Sequence, residues 1–199
     1  LLGRHRKRRL AQHDPAVRHI GQQAQLLADA IAAARKVDAV VFIGGLNKGD
    51  HQDSEGADRL QLGLPYGQDA VIGALAEANP NLAVVFVSGN AVAMPWIDRV
   101  PAVLEAWYSG SEAGNALADV LFGAVNPSGK LPFTFPVRLE DCSAHSAGEY
   151  PGEGQVVYRD GIFVGYRWHD KEQLKPLFAF GHGLSYTAFA VGNVKRSEE

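Results

Sequence analysis

Cysteine occurs once in this 199-residue chain, at Cys142. A lone thiol closes no disulfide within the chain and supplies no paired-sulfur metal site, and it leaves the redox compartment open. Long apolar runs are missing too: nothing approaches the roughly 20 residues that span a bilayer. The basic run RHRKRR (4–9) is followed by AQHDPAVRHIGQQ, which lacks the apolar core of a secretory signal. An excess of positive charge is also absent. The net charge is −3, and nucleic-acid binders need the opposite sign to neutralise phosphates, so the run at 4–9 reads as a solvated or poorly ordered terminus. Neither nucleic acid nor membrane is expected as a partner, and the location stays undetermined. The chain starts with Leu instead of Met, from which a processed product or a fragment is expected.

What is present is a 46% hydrophobic chain that suits one globular domain or a domain with an appendage. Val17, Ile20, Ala24, Leu27, Ile31 and Ala34 recur at three- and four-residue intervals, so 15–36 is expected to be an amphipathic helix, with Asp14 as N-cap before Pro15. AVVFIGG (39–45) and LAVVFVSGN (82–90) are apolar, β-branched runs ended by glycine, which read as buried parallel strands. A third strand is expected at 102–107. Helices are expected at 66–78 and at 111–123, the second with Ser111 as cap and Gly123 at its end. This order implies a layered α/β sandwich with a mostly parallel sheet. Beyond Asn126 the sequence is rich in Gly, Pro and aromatics; it is expected to be a loop-rich wrapping tail that buries its rings and ends in a short β segment.

Ligands of open α/β sheets bind outside the carboxyl ends of the strands. The segment 46–59 would lie there, and it holds Asp50, His51, Asp53, Glu55, Asp58 and Arg59. Spacing alone leaves three readings: a functional site, a solvated acidic loop or a calcium loop, although the twelve-residue calcium pattern is not matched. No G-x-S-x-G occurs, and Ser88, Ser111 and Ser128 have turn or cap explanations. GGLNKGD lacks the phosphate-loop spacing, and the seven histidines show no metal-ligand spacing, so neither a metal nor a cofactor is expected. His182 reads as part of a tight turn, and Trp96, Trp107 and Trp168 as packing residues.

In order, EGADRLQLGLPYGQ (55–68), VVFVSGNAVAMPW (84–96), AVLEAWYSGSEAGNALADVLFGAVNPSGKLPFTFP (102–136), VYRDGIFVGYRWHD (157–170) and PLFAFGHGLSYTAF (176–189) resemble the second domain of glycoside hydrolase family 3, the β-glucosidases and related exo-acting enzymes. The resemblance covers roughly 37–190; residues 1–36, the basic arm and first helix, match only loosely, and 191–199 is a polar tail. It implies a retaining exo-β-glycosidase that releases terminal β-D-glucosyl residues from a β-linked glucoside or oligosaccharide. In such enzymes a (β/α)8-type barrel supplies the aspartate nucleophile and this sandwich supplies the general acid/base.

The matching acid/base position is Glu55. Gly56 would let the loop turn tightly beside the sugar, and Asp58 and Arg59 would support the loop as an ion pair. Asp53 is the rival acid within the loop. Retaining hydrolysis uses two carboxyl groups about 5 to 5.5 Å apart, one attacking the anomeric carbon and one protonating the leaving oxygen. Nearby negative charge and exclusion of water keep such an acid protonated. The chain departs from the family in having no segment like the nucleophile's, in lacking room for the barrel, and in carrying Asp160 where the family more often has Glu. A fragment, a truncated product or one part of a split enzyme is therefore expected, acting with a barrel in cis or in trans. A non-catalytic carbohydrate-binding or scaffold domain of the same fold is the alternative. Apolar surface left where a barrel would dock predicts self-association.

Overall fold

The computed structural model describes residues 15–49, 51–152, 154–190, 192–193 and 195–196, with side chains from residue 22 onward. The basic run at 4–9, the expected cap Asp14, Asp50 and much of the tail at 191–199 lie outside the described residues. The chain divides into two compact units, one built from residues up to Asn90 with Met94–Trp107, the other from Ala91–Ala93 with Tyr108 onward.

The first unit is an α/β layer. It contains α1 (Pro15–Ala34), β1 (Val40–Gly45), α2 (Gln68–Ala78), β2 (Leu82–Val87), a 3-10 turn (Ile97–Arg99) and β3 (Ala102–Glu105). The three strands form one sheet in the order β1-β2-β3, parallel throughout, with Val40 opposite Leu82 and Ala83 opposite Ala102. The sequence expectation of an α/β fold with a parallel sheet is met, each end differing by a few residues.

Burial differs between the two strands that read alike in sequence. In β2, Leu82, Val84, Val85 and Phe86 are buried, as a central strand requires. Among the described residues β1 is a sheet edge, and Val41 and Ile43 are 49% and 61% exposed, against the expectation of a buried strand. A continuous apolar run records the character of a strand and not how many neighbours cover it.

Helix α2 packs against β1, β2 and the 3-10 turn through Ile72, Gly73 and Leu75. On α1, Leu27, Ile31 and Ala34 carry the inward stripe toward α2, whereas Ala24 is exposed. Asn79 closes this corner. Its Nδ2 donates to the carbonyls of Ala34 and Val37, both at 2.9 Å, and its Oδ1 accepts from the Asn81 amide at 2.9 Å. Helix ends leave orphan carbonyls, and a buried orphan costs about 1–3 kcal/mol. Asn79→Leu should therefore destabilise the chain by about 2–3 kcal/mol in urea unfolding; a loss within about 0.5 kcal/mol would show that the corner does not depend on this amide.

The second unit is loop-rich, with α3 (Ala113–Leu121), a 3-10 turn (Leu139–Asp141), α4 (Ser143–Ser146) and α5 (Tyr166–Lys171). Ser111 is not the cap of α3: Glu112 takes the N-cap place without a side-chain cap bond, and its carboxylate accepts from Asn115 Nδ2 at 2.6 Å. The expected terminal β segment is reduced to one isolated antiparallel bridge, Phe135 to Phe178. Side chains do the tying instead. Asn126 accepts from Ser185 Oγ (2.9 Å) and the Tyr186 amide (2.8 Å), and the Tyr186 hydroxyl donates to the Val120 carbonyl at 2.8 Å.

The tail aromatics are not uniformly buried as expected. Phe135 is buried, and Phe133 stacks on it at 5.5 Å, but Tyr158 and Phe189 are 86% and 75% exposed. Other rings are partnered by charge: Lys171 Nζ lies 4.9 Å from the Phe163 ring and 5.1 Å from the Trp168 ring. With no sheet among the described residues of this unit to lie against, rings pair with one another, as Phe133 with Phe135 and Tyr166 with Phe180, and several stay exposed. His182 sits in its turn, its amide bonded to the Ala179 carbonyl and its ring 4.9 Å from that of Phe178.

Candidate active site

The connection from β1 to α2 leaves the carboxyl end of β1 and returns as a self-bonded loop. Gln68 clasps the two ends: its Oε1 accepts from the Gly45 amide at 2.8 Å, and its Nε2 donates to the carbonyls of Gly45 and Pro65 at 2.9 and 3.1 Å. Asp69 adds a second clasp, accepting from the Leu64 amide at 3.1 Å and from the buried Trp96 indole at 2.8 Å. Gly45 is fixed by sterics as well, since φ is +129° and an added Cβ would collide with the Val87 carbonyl.

Inside the loop, buried Gln52 accepts from the Asn47 amide (3.0 Å) and donates to the Tyr66 hydroxyl (2.7 Å). Four non-glycine residues among those described have positive φ. Three of them are His51 and Tyr66 in this loop and Trp107 just after β3. Such conformations persist only where surrounding structure determines them, and they concentrate at functional sites. Leu46, Gln52, Arg59, Pro65 and Tyr66 line an open cleft of about 410 Å³.

Glu55 and Gly56 form the tip of a tight turn between bridged residues Ser54 and Ala57. Gly56 has φ +80°, the sign that a type II turn needs at its third residue. Glu55 is exposed, and among the described residues no hydrogen bond or ion pair engages its carboxylate. Asp58 is exposed, and its carbonyl lies 2.9 Å from His51 Nδ1. Arg59 Nη2 donates to the carbonyls of Leu62 (2.7 Å) and Gly63 (3.4 Å), anchoring the downstream half of the loop.

Asp53 is held through its carboxylate. Its Oδ2 accepts from the Gly89 amide at 2.5 Å and its Oδ1 from Asn90 Nδ2 at 3.4 Å, which ties the loop to the turn that ends β2. Both oxygens are thus used in holding the loop. Behind that turn lies a residue that the sequence reading passed over. Glu105, the last residue of β3, accepts from the Trp107 amide at 2.9 Å and sits 3.0 Å from the Ser88 hydroxyl. Burial pushes its carboxyl up to about 7; bonds from the Trp107 amide and from Ser88 pull the other way, and the charge of Asp53 adds a smaller upward push. The available signal was a carboxylate at the carboxyl end of an apolar strand, level with the loops that bear function in α/β folds.

The arrangement is one free carboxylate on a tight turn, carried by a loop that is fixed at both ends and at its middle. Among the described residues no three His, Cys, Asp or Glu side chains are grouped as a metal site needs. The model of the glycosyl hydrolase family 3 C-terminal domain matches residues 7–186. The chain belongs to glycosyl hydrolase family 3.

This family 3 domain is 54% identical over 164 residues to the β-glucosidase BoGH3A of Bacteroides ovatus, covering 81% of this chain and 22% of that protein. Thermostable β-glucosidase B of Acetivibrio thermocellus is 47% identical over 175 residues, covering 87% and 23%. Among solved structures, DesR, a β-glucosidase from Streptomyces venezuelae in complex with D-glucose, matches with TM-score 0.80 at 44% identity over 88% of this chain and 22% of that one. The chain spans about a fifth of the length of the relatives it matches.

Proposed function

We propose that this family 3 domain supplies the acid/base half of a retaining exo-β-glucosidase, with Glu55 as the general acid/base. The observation that carries the reading is the free carboxylate of Glu55 at the tip of a turn whose loop is held rigid behind it. A general acid must reach a leaving oxygen without first breaking an ion pair, and its position must be set by its support. The likeness to β-glucosidases supports a terminal β-linked glucosyl unit as the substrate class.

The chemistry runs in two steps. A carboxylate from outside this chain attacks the anomeric carbon while Glu55 gives its proton to the leaving oxygen. Glu55 then takes a proton from water as that water attacks the glycosyl-enzyme, and the configuration is retained. Gly56 lets the turn close without a side chain toward the sugar. Arg59 and Asp53 fix the loop on either side of the tip, and neither is assigned proton transfer. The nucleophile is proposed to reside on a (β/α)8-type barrel, joined in cis or in trans.

The test is release of nitrophenol from aryl β-glycosides by this chain alone and by this chain combined with a family 3 barrel. The expected result is negligible release alone and restored release with the barrel, greatest for glucosides. Failure of every combination, with the domain folded, would contradict the reading. The apolar side chains left in water, among them Phe122 at 89% and Leu184 at 78% exposure, lead to a further expectation. Sedimentation velocity of the purified chain should show larger species as concentration rises; a strict monomer across a hundredfold range would count against an uncovered docking face.

A further inference from the structure

Ser88 is fully buried, and its hydroxyl lies 2.7 Å from the Asn90 carbonyl and 3.0 Å from Glu105 Oε2. A hydroxyl carries one proton and donates once. Both contacts are satisfied together only when Glu105 holds a proton at Oε2: Glu105 then donates to Ser88, and Ser88 donates to Asn90. If Glu105 ionises, its proton leaves to solvent, the Ser88 hydroxyl turns its hydrogen bond onto the carboxylate, and the Asn90 carbonyl loses its donor. The turn affected is the one that grips Asp53, through the Gly89 amide and the Asn90 side chain. Asp53 is two residues from Glu55.

We propose that Glu105 is a positioning residue whose protonated form, acting through Ser88 and the 88–90 turn, holds Asp53 and thereby sets the turn that presents Glu55. Its consequence for catalysis rests on the reading of Glu55 as acid/base; the linkage itself does not. Several features converge on it. The Trp107 amide that Glu105 accepts belongs to a residue with φ +50°, so the carboxyl also pins a strained backbone directly after the strand. The buried position favours the neutral form, with a carboxyl near 7, which places the switch in the neutral range. The groups facing Glu105 are Ser88 from the end of β2, Trp107 from its own strand end and, as the charged one among the described residues, Asp53 from the loop. Above neutrality the grip on Asp53 slackens, and the turn that presents Glu55 loses its support.

The test is a pH titration of backbone amide resonances in the full 199-residue chain, comparing wild type, Glu105→Gln and Ser88→Ala. A glutamine reproduces the protonated carboxyl, with its amide donating to Ser88 and its oxygen accepting from Trp107. In wild type the amides of Gly89, Glu55 and Gly56 are expected to shift together with a midpoint near pH 7. The shared transition should vanish in Glu105→Gln. In Ser88→Ala, where Glu105 keeps its charge but loses the relay, it should fall to less than half its amplitude. A transition unchanged in Glu105→Gln would assign it to another group and overturn the proposal. Full amplitude in Ser88→Ala would show a direct field effect in place of the relay and overturn it equally. None of these readouts needs Glu55 to be catalytic, so a failed linkage and a failed acid/base assignment are told apart.

Discussion

Glu55→Gln, in this domain combined with a barrel, is expected to slow hydrolysis of a β-glucoside with a poor leaving group by about 10² to 10⁴, the usual worth of a positioned proton donor. The loss should depend on the leaving group. An alkyl glucoside needs its oxygen protonated as the bond breaks and should suffer the full effect. A dinitrophenyl glucoside leaves without help, so its first step should hardly change while the second, which needs a base, slows. Glycosyl-enzyme should then accumulate and give a burst of phenol. Thermal stability should be nearly unchanged, because the Glu55 side chain is exposed and no described residue bonds it. Steady-state rates and burst amplitudes across aryl and alkyl glucosides check this. A uniform loss across leaving groups would point to lost structure and not to a lost proton.

Glu105→Gln should make the chain more stable at pH 8 than wild type while leaving the two similar near pH 4. Folding raises the Glu105 carboxyl from 4.5 to about 7, chiefly by burial. Below 4.5 folded and unfolded chains both hold the proton, and no penalty exists. Between 4.5 and 7 the unfolded chain releases it and the folded chain does not, so stability falls as pH rises. Above 7 the deficit is complete. One pK unit is worth about 1.4 kcal/mol, and discounting for partial solvent access leaves about 2–3 kcal/mol. Glutamine has no proton to lose and should not show this slope. Urea unfolding at pH 5 and pH 8 measures it, and parallel wild-type and variant profiles would contradict the assigned burial of the acid.

Much of the fold was legible because its signals are local. Glycine after β-branched runs marked β1 and β2, and their apolar faces implied a parallel sheet. What escaped is what depends on neighbours. Val41 and Ile43 read like Val84 and Val85, yet an edge strand leaves them in water. The tail rings read as core, but without a sheet in their unit only Phe135 is fully covered. The loop at 46–59 stood out by its density of titratable groups. Its division of labour did not: that Asp53 turns back onto Gly89 while Glu55 points free is set by hydrogen bonds between residues 36 positions apart. Glu105 was marked in sequence only by its place at a strand end; its role emerges once Ser88 and Trp107 are brought against it.

The central claim is that Glu55 serves as acid and then as base, and azide tests it most directly. In the Glu55→Ala variant of the barrel-combined domain, azide needs no base and enters the glycosyl-enzyme where water no longer does. With dinitrophenyl β-glucoside, turnover should rise steeply with azide concentration, and β-glucosyl azide, the product of retention, should accumulate. A Glu55→Ala variant that hydrolyses at the wild-type rate, or one whose slow rate azide neither raises nor diverts into β-glucosyl azide, would contradict it.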